Sequence, residues 1–270
     1  MTSDFLYRLD ISYLGGDFHG WQSQPSGRGI QNHMERALSV LLRHDIKVLA
    51  ASRTDTGVHA EHQVCTFRSS AVFDEHRWTM GLNGLLPESV RVFRVSQIED
   101  EFHPIKSSCA KAYRYRIWVS RVENPFFARM SWRVHGPLDV AAMTAASESM
   151  TGELDFTSFC AADSNAKTKV RRVLEIKLDR RGNLINVWVL GEGFLKQMVR
   201  NMVGALVEVG AGNLPAAAIP SILAARDRKA APRTAPAQGL TLVKIFYEEP
   251  KTIESLISEA SVGYTQSIVT

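Results

Sequence analysis

Apolar residues recur along this chain at period two and then at period 3.6. The resulting element order, β-α-β-β-α-β, occurs twice. In the first half Phe5, Tyr7, Leu9, Ile11 and Tyr13 alternate through residues 4–14 and predict a strand. Ile30, Met34, Ala37, Leu38, Leu41 and Leu42 fall on one face of a helix over 29–44. Strands are expected at 46–50 and 62–68, a helix at 76–86 that stops before Pro87, and a strand at 90–98. The second half repeats the order. A strand at 111–119 precedes a helix at 138–151 halted by Gly152, strands at 170–178 and 184–190, and a helix at 195–209. A shorter helix near 215–226 and a strand at 240–247 complete it. Each half reads as a ferredoxin-like split β-α-β unit, so the fold class is α+β. No letter-by-letter repeat accompanies the duplication, which rests on element order alone. The expected domains are 1–104 and 105–250, with 251–270 as a C-terminal tail.

The composition narrows the function classes. The chain is 45% hydrophobic and 22% charged, as in ordinary globular proteins. No apolar run approaches the ~20 residues of a membrane span. The start, "MTSDFLYRLD", lacks the basic and apolar regions of a signal peptide. Cys65, Cys109 and Cys160 are isolated, which points to a reduced, cytoplasmic setting rather than a disulfide framework. Charge is uneven. Residues 1–102 hold 10 Lys and Arg against 13 Asp and Glu, whereas residues 103–200 hold 16 against 9. The basic middle suits a polyanionic partner, or equally a solvated strand face.

Three segments could carry chemistry. The first is "ASRTDTGVHAEHQ" (51–63), a polar connection longer than a hairpin needs. Asp55 lies in it between Arg53 and Gly57. An aspartate there either forms a local turn or cap, or serves as an ionised nucleophile, base or cation ligand. His59 and His62 form an HxxH, but no third metal ligand is near. The second is "KAYRYRIWV". Tyr113, Tyr115, Ile117 and Val119 share one strand face, and Arg114, Arg116 and Trp118 the other. Either the tyrosines are core and the arginines exposed, or Tyr113 stacks on a base while Arg114 and Arg116 meet phosphates. The third is "GFLKQMVRNMVGALVEVG" (193–210), where Arg200 lies off the apolar stripe, roughly beside Lys196 and Val207. Gly204, inside that helix, costs about 1 kcal/mol against Ala, which calls for close approach by another backbone. "GGDFHG" has the wrong spacing for a dinucleotide site, and neither a phosphate-loop lysine nor a nucleophile-elbow serine occurs.

Taken together, "YLGGDFHGWQSQ" (13–24), "IQNHMERAL" (30–38), "SRTDTGVHA" (52–60), "LNGLLP" (82–87), "FHP" (102–104), "KAYRYRI" (111–117), "DFTSF" (155–159), "FLKQMVRNMVG" (194–204) and "GLTLVKIFY" (239–247) resemble the tRNA pseudouridine synthase A family, in family order over nearly the whole chain. The resemblance implies two ferredoxin-like halves joined into one catalytic unit with a central basic cleft, usually as a homodimer. It implies conversion of uridine to pseudouridine at positions 38 to 40 of the tRNA anticodon arm, with no cofactor and no metal. Asp55 matches the catalytic aspartate and Tyr113 the tyrosine stacked on the target base. Arg200 matches the arginine paired with the aspartate, and Arg53 the arginine tied to nucleotide flipping. Ser52 and Thr56 depart from the family's usual Gly and Ala. A non-catalytic RNA-binding protein of ferredoxin-like fold is the alternative. It accounts for Tyr113 and the charge asymmetry but gives Asp55 no task.

Overall fold

In the computed structural model the described residues are 4–250 and 252–258. In chain order they form β1 (Phe5–Tyr13), α1 (Ile30–Leu42), β2 (Leu49–Ala50), β3 (His59–Ser69), α2 (Glu75–Leu85), β4 (Val90–Ile98), β5 (Ala110–Val119), β6 (Trp132–Val134), α3 (Val140–Glu148), β7 (Gly152–Asp155), β8 (Val170–Arg181), β9 (Leu184–Gly191), α4 (Met198–Gly210), α5 (Ala218–Ala225) and β10 (Leu240–Phe246). A further helical turn covers 253–258. The fold class is α+β. No described helix is long and apolar enough to cross a membrane. The chain packs as two compact units. The first runs to residue 108 and also takes in 129–131 and 236–245; the rest forms the second.

The first unit has the ferredoxin-like order. β1 pairs antiparallel with β3 on one side and with β4 on the other, and β2 pairs antiparallel with β3. β10 adds a short parallel pairing at the start of β3, Thr241 opposite His59 and Leu242 opposite Ala60. Helix α1 buries Ile30, Met34, Ala37 and Leu38 of the expected stripe, while Leu41 and Leu42 are half-buried. Helix α2 is capped by Asp74, whose side chain accepts from Arg77 N at 2.7 Å. Its Trp78 packs with Tyr7, Phe67 and Phe73 at centroid distances of 5.2, 5.4 and 4.8 Å. The strand expected over 46–50 is only two residues long. Side chains of α1 take the earlier backbone groups: Ser39 Oγ accepts from Ile46 N, and Glu35 Oε1 accepts from Val48 N. Those amides are thereby unavailable to a ladder.

A buried charge cluster joins β1 to β3. Asp10, 3% exposed, accepts from Arg8 Nη2 at 2.6 Å and from His62 Nε2 at 2.8 Å. Burial pushes the Asp10 carboxyl up, but the bonds from His62 and Arg8 outweigh it and hold it below the ordinary carboxylate value. A carboxylate with a depressed folded pKa stabilises above its unfolded pKa and loses that contribution as pH falls through the folded value. Asp10→Asn should therefore cost about 2 kcal/mol at pH 7. In urea titrations across pH, the gap to wild type should close progressively below about pH 5. A pH-independent gap would contradict this assignment.

The second unit is built on β5-β9-β8-β7, antiparallel throughout, with β6 parallel to the latter part of β5. Strands β6 and β7, three and four residues long, are additions to the expected order. Its core includes Tyr115, Met143, Phe156, Phe159, Ile185 and Met202, each fully buried. Helix α3 starts at the Asp139 cap, whose side chain accepts from Ala142 N, so Leu138 lies outside it. Helix α4 starts at Met198, three residues later than expected. Gln197 takes a left-handed φ of +60°, which ends any helical continuation toward Leu195. Lys196 is consequently not a neighbour of Arg200 along a helix face; its Nζ lies 2.6 Å from Asp163 Oδ2. The close approach expected at Gly204 is present, since a Cβ there would lie 2.0 Å from the Arg233 carbonyl oxygen.

Candidate active site

Asp55 lies in the connection between β2 and β3, and buried groups set the path of that loop. Tyr13 on β1 shares a 2.8 Å hydroxyl–hydroxyl hydrogen bond with Thr54, and Trp21 N donates to Thr54 O at 3.0 Å. Gln63, fully buried on β3, accepts from Ser52 N at 3.2 Å and donates to Ser52 O at 2.7 Å, satisfying both backbone groups of that residue. Beyond Asp55 the chain turns: Val58 N donates to Asp55 O at 3.1 Å, and Gly57 adopts φ +82°. Residues 15–20 pack their backbone directly on this loop. A Cβ at Gly15 would lie 1.9 Å from Val58 O; one at Gly20, where φ is +82°, would lie 2.8 Å from Thr54 O. The result is a half-buried Asp55 side chain on a backbone fixed from both sides, flanked by exposed Arg53 and Thr56.

The two histidines of the expected 51–63 connection lie on β3, which starts at His59, and are structural. His59 Nδ1 accepts from Gly15 N at 3.0 Å, so Nε2 carries the proton and donates to Gln238 O at 3.1 Å. That arrangement also ties the start of β3 to the turn before β10. His62 Nε2 meets Asp10, and its Nδ1 accepts from Ile245 N at 3.4 Å. Both rings thus spend both nitrogens on protein partners. Among the described residues no three His, Cys, Asp or Glu side chains cluster as a metal centre requires.

The other named residues lie in the second unit. Tyr113, 7% exposed on β5, packs edge-to-face on Phe194 at 5.1 Å and 84°. Tyr115, two residues along the same face, is fully buried; burial pushes its hydroxyl well above the ordinary tyrosine value, opposed by the charge of Arg200. Arg200 lies on the first turn of α4, a helix that contacts β5. The Arg200 guanidinium is half-buried, and its Nε donates to Ala235 O at 2.8 Å. On the opposite face of β5, Arg114 is 7% exposed and lies over the Trp188 ring at 5.0 Å, while Arg116 is half-buried. An exposed face of arginines is therefore not what β5 presents: Arg114 belongs to the interior. Lys111, at the start of the strand, is lowered to about 8 by burial.

Sequence reasoning missed the supports of these residues. Tyr13, Gln63, Gly15 and Gly20 hold the aspartate loop, and residues 231–235 hold Arg200. The local signs were the glycine-rich "LGGDFHG", whose spacing fits no nucleotide motif, and Gly204, which calls for a backbone that proves to be residue 233.

Comparison with known proteins gives this geometry a family. Residues 146–248 match the sequence profile of a tRNA pseudouridine synthase family. The tRNA pseudouridine synthase A of Myxococcus xanthus is 42% identical over 243 residues, covering 90% of this chain and 92% of that protein. The protein of the same name from Moorella thermoacetica is 40% identical over 242 residues, covering 89% and 98%. With that identity over most of its length, the chain belongs to the tRNA pseudouridine synthase A family, isomerases that act on tRNA.

Proposed function

We propose that this enzyme isomerises uridines at positions 38 to 40 of the tRNA anticodon arm, with Asp55 as the nucleophile. The reaction breaks the bond between uracil N1 and ribose C1′, turns the base, and joins C5 to C1′. N1 gains a proton and C5 loses one, so the change is redox-neutral and calls for no electron carrier. The observation that carries the reading is the loop 51–58. Buried side chains and two close-packed glycines hold its backbone in place around a half-buried carboxylate. A fixed nucleophile is what effective catalysis by positioning needs.

The remaining roles follow the match to the family. Extruding a stacked uridine costs a few kcal/mol. Arg53, exposed beside Asp55, supports the flipped nucleotide, and Tyr113 stacks on its base. A phenol is a poor base at neutral pH, so stacking is its main task. Arg200 pairs with the Asp55 carboxylate and keeps it ionised once water is excluded; at ~4 Å and an effective dielectric near 20 such a pair is worth about 4 kcal/mol. Arg116 addresses backbone phosphates, and the buried Arg114 adds to the positive field from behind it. The enzyme works as a homodimer, as the family does.

The test is position-resolved mapping of pseudouridine in unmodified tRNAs after incubation with the protein. Product should appear at 38, 39 and 40 and be absent elsewhere. Modification confined to another arm would overturn the anticodon assignment.

A further inference from the structure

Residue 201 follows Arg200 on α4, and its side chain has no place in the reaction as proposed. Asn201 is nonetheless fully buried and almost saturated with hydrogen bonds. Its Oδ1 accepts from Thr234 Oγ1 at 2.6 Å and from Arg228 Nη2 at 3.1 Å; its Nδ2 donates to Phe159 O at 2.8 Å. Arg228 closes the set, donating through Nη2 to Thr234 Oγ1 at 3.0 Å and through Nη1 to Ala231 O at 2.9 Å. This arginine sits in a Pro- and Ala-rich basic loop, "ARDRKAAPRTAPAQG" (225–239), where a basic side chain would ordinarily be read as meeting solvent or RNA. Here its guanidinium is spent inside the protein.

Three of these five bonds end on residues 231–235, two at Thr234 and one at Ala231. That segment lies flat on α4. Arg233 O occupies the space a Cβ at Gly204 would need, and Ala235 N donates to Arg200 O at 3.1 Å. Ala235 O in turn accepts from Arg200 Nε. Prolines at 232 and 236 fix two φ angles around the contact. The consequence for Arg200 is specific. With Nε committed to a backbone carbonyl, the plane and direction of the guanidinium are set, and an anion is met through the two terminal nitrogens.

We propose that Thr234, Asn201 and Arg228 are positioning residues for the isomerisation. They pin the 231–235 strap to α4, so that the Ala235 carbonyl aims Arg200 at the carboxylate it serves. The proposal rests on the reading that Arg200 acts in catalysis. A misaimed guanidinium costs transition-state stabilisation while tRNA binding, spread over many phosphate contacts, is kept.

Thr234→Val removes the hydroxyl at nearly constant volume, and Thr234→Ser restores it. Single-turnover pseudouridine formation should fall about 10-fold in Thr234→Val, a tenth of what a gross misplacement can cost. The tRNA Kd should stay within about twofold, and Thr234→Ser should recover most of the rate. The deciding measurement is a double-mutant cycle with Arg200→Lys. If Thr234 acts through Arg200, Thr234→Val should cost little further in the Arg200→Lys background. Full additivity overturns the positioning proposal and leaves the role of Arg200 standing. An unchanged rate in Arg200→Ala overturns the role of Arg200 and the proposal with it. A Thr234→Val enzyme that loses thermal stability but keeps its folded-state rate shows that the strap is a structural brace only.

Discussion

Asp55→Asn should abolish pseudouridine formation while leaving the fold and tRNA binding intact. The substitution keeps the size of the side chain and the backbone bond from Val58 N to Asp55 O. Tyr13, Trp21, Gln63 and His59 tie the loop through bonds made to groups other than the carboxylate. Melting temperature and tRNA affinity should therefore stay near wild type. An amide is no nucleophile, and removing a nucleophile from a preorganised site costs rate by factors of ~10⁴ to 10⁶. Single-turnover assays should find a loss of at least ~10⁴, about 5.5 kcal/mol of barrier. Turnover within tenfold of wild type would remove Asp55 from the chemistry. Lost tRNA binding would instead make the carboxylate a binding group.

Which parts of this protein were legible in its sequence follows from how far apart the deciding residues lie. Strands β1 and β4 and helices α1 and α2 were readable because their signal is a local periodicity: β4 spans 90–98 as expected, and α2 is shifted by one residue. The strand expected over 46–50 shortens to β2 because the amides of Ile46 and Val48 are captured by Ser39 and Glu35, side chains 7 and 13 residues away in another element. The start of α4 was misplaced because one residue, Gln197, takes a left-handed backbone that apolar spacing does not register. Strands of three and four residues, like β6 and β7, are too short to show a period.

The candidate site divides in the same way. Asp55 could be singled out as chemistry-bearing from an unusual polar loop, and its role came only with the family resemblance. The polarity of "KAYRYRI" suggested arginines facing outward, whereas Arg114 stacks on Trp188 from the next strand. Strand periodicity tells which residues share a face but not which face is covered. The supports of Asp55 come from positions 13, 15, 20 and 63, and that of Arg200 from position 235, so tertiary packing decides them.

Gly20→Ala should impair both stability and catalysis, and a matched glycine elsewhere separates the two causes. Gly20 adopts φ +82°, and a Cβ there would lie 2.8 Å from Thr54 O, 3.0 Å from Thr56 N and 3.1 Å from Asp55 C. All three are backbone atoms, so no rotamer change relieves the contact. Gly136 has nearly the same φ, +83°, with nothing within 4 Å of its Cβ position. Alanine at 136 meets only the conformational cost of the left-handed region, about 1–2 kcal/mol. Alanine at 20 bears that cost and must also displace residues 54–56. Its total should reach about 3–4 kcal/mol, a fall of roughly 6–16 °C in Tm for a chain of this size. The displaced segment contains the nucleophile, and a 1 Å misplacement can cost ~100-fold in rate. The folded Gly20→Ala enzyme, assayed well below its Tm, should therefore lose about two orders of magnitude in kcat, while Gly136→Ala keeps its full rate. Equal rates in the two variants would mean that Asp55 tolerates a shift of its loop, and that the close packing of residues 15–20 serves the fold alone.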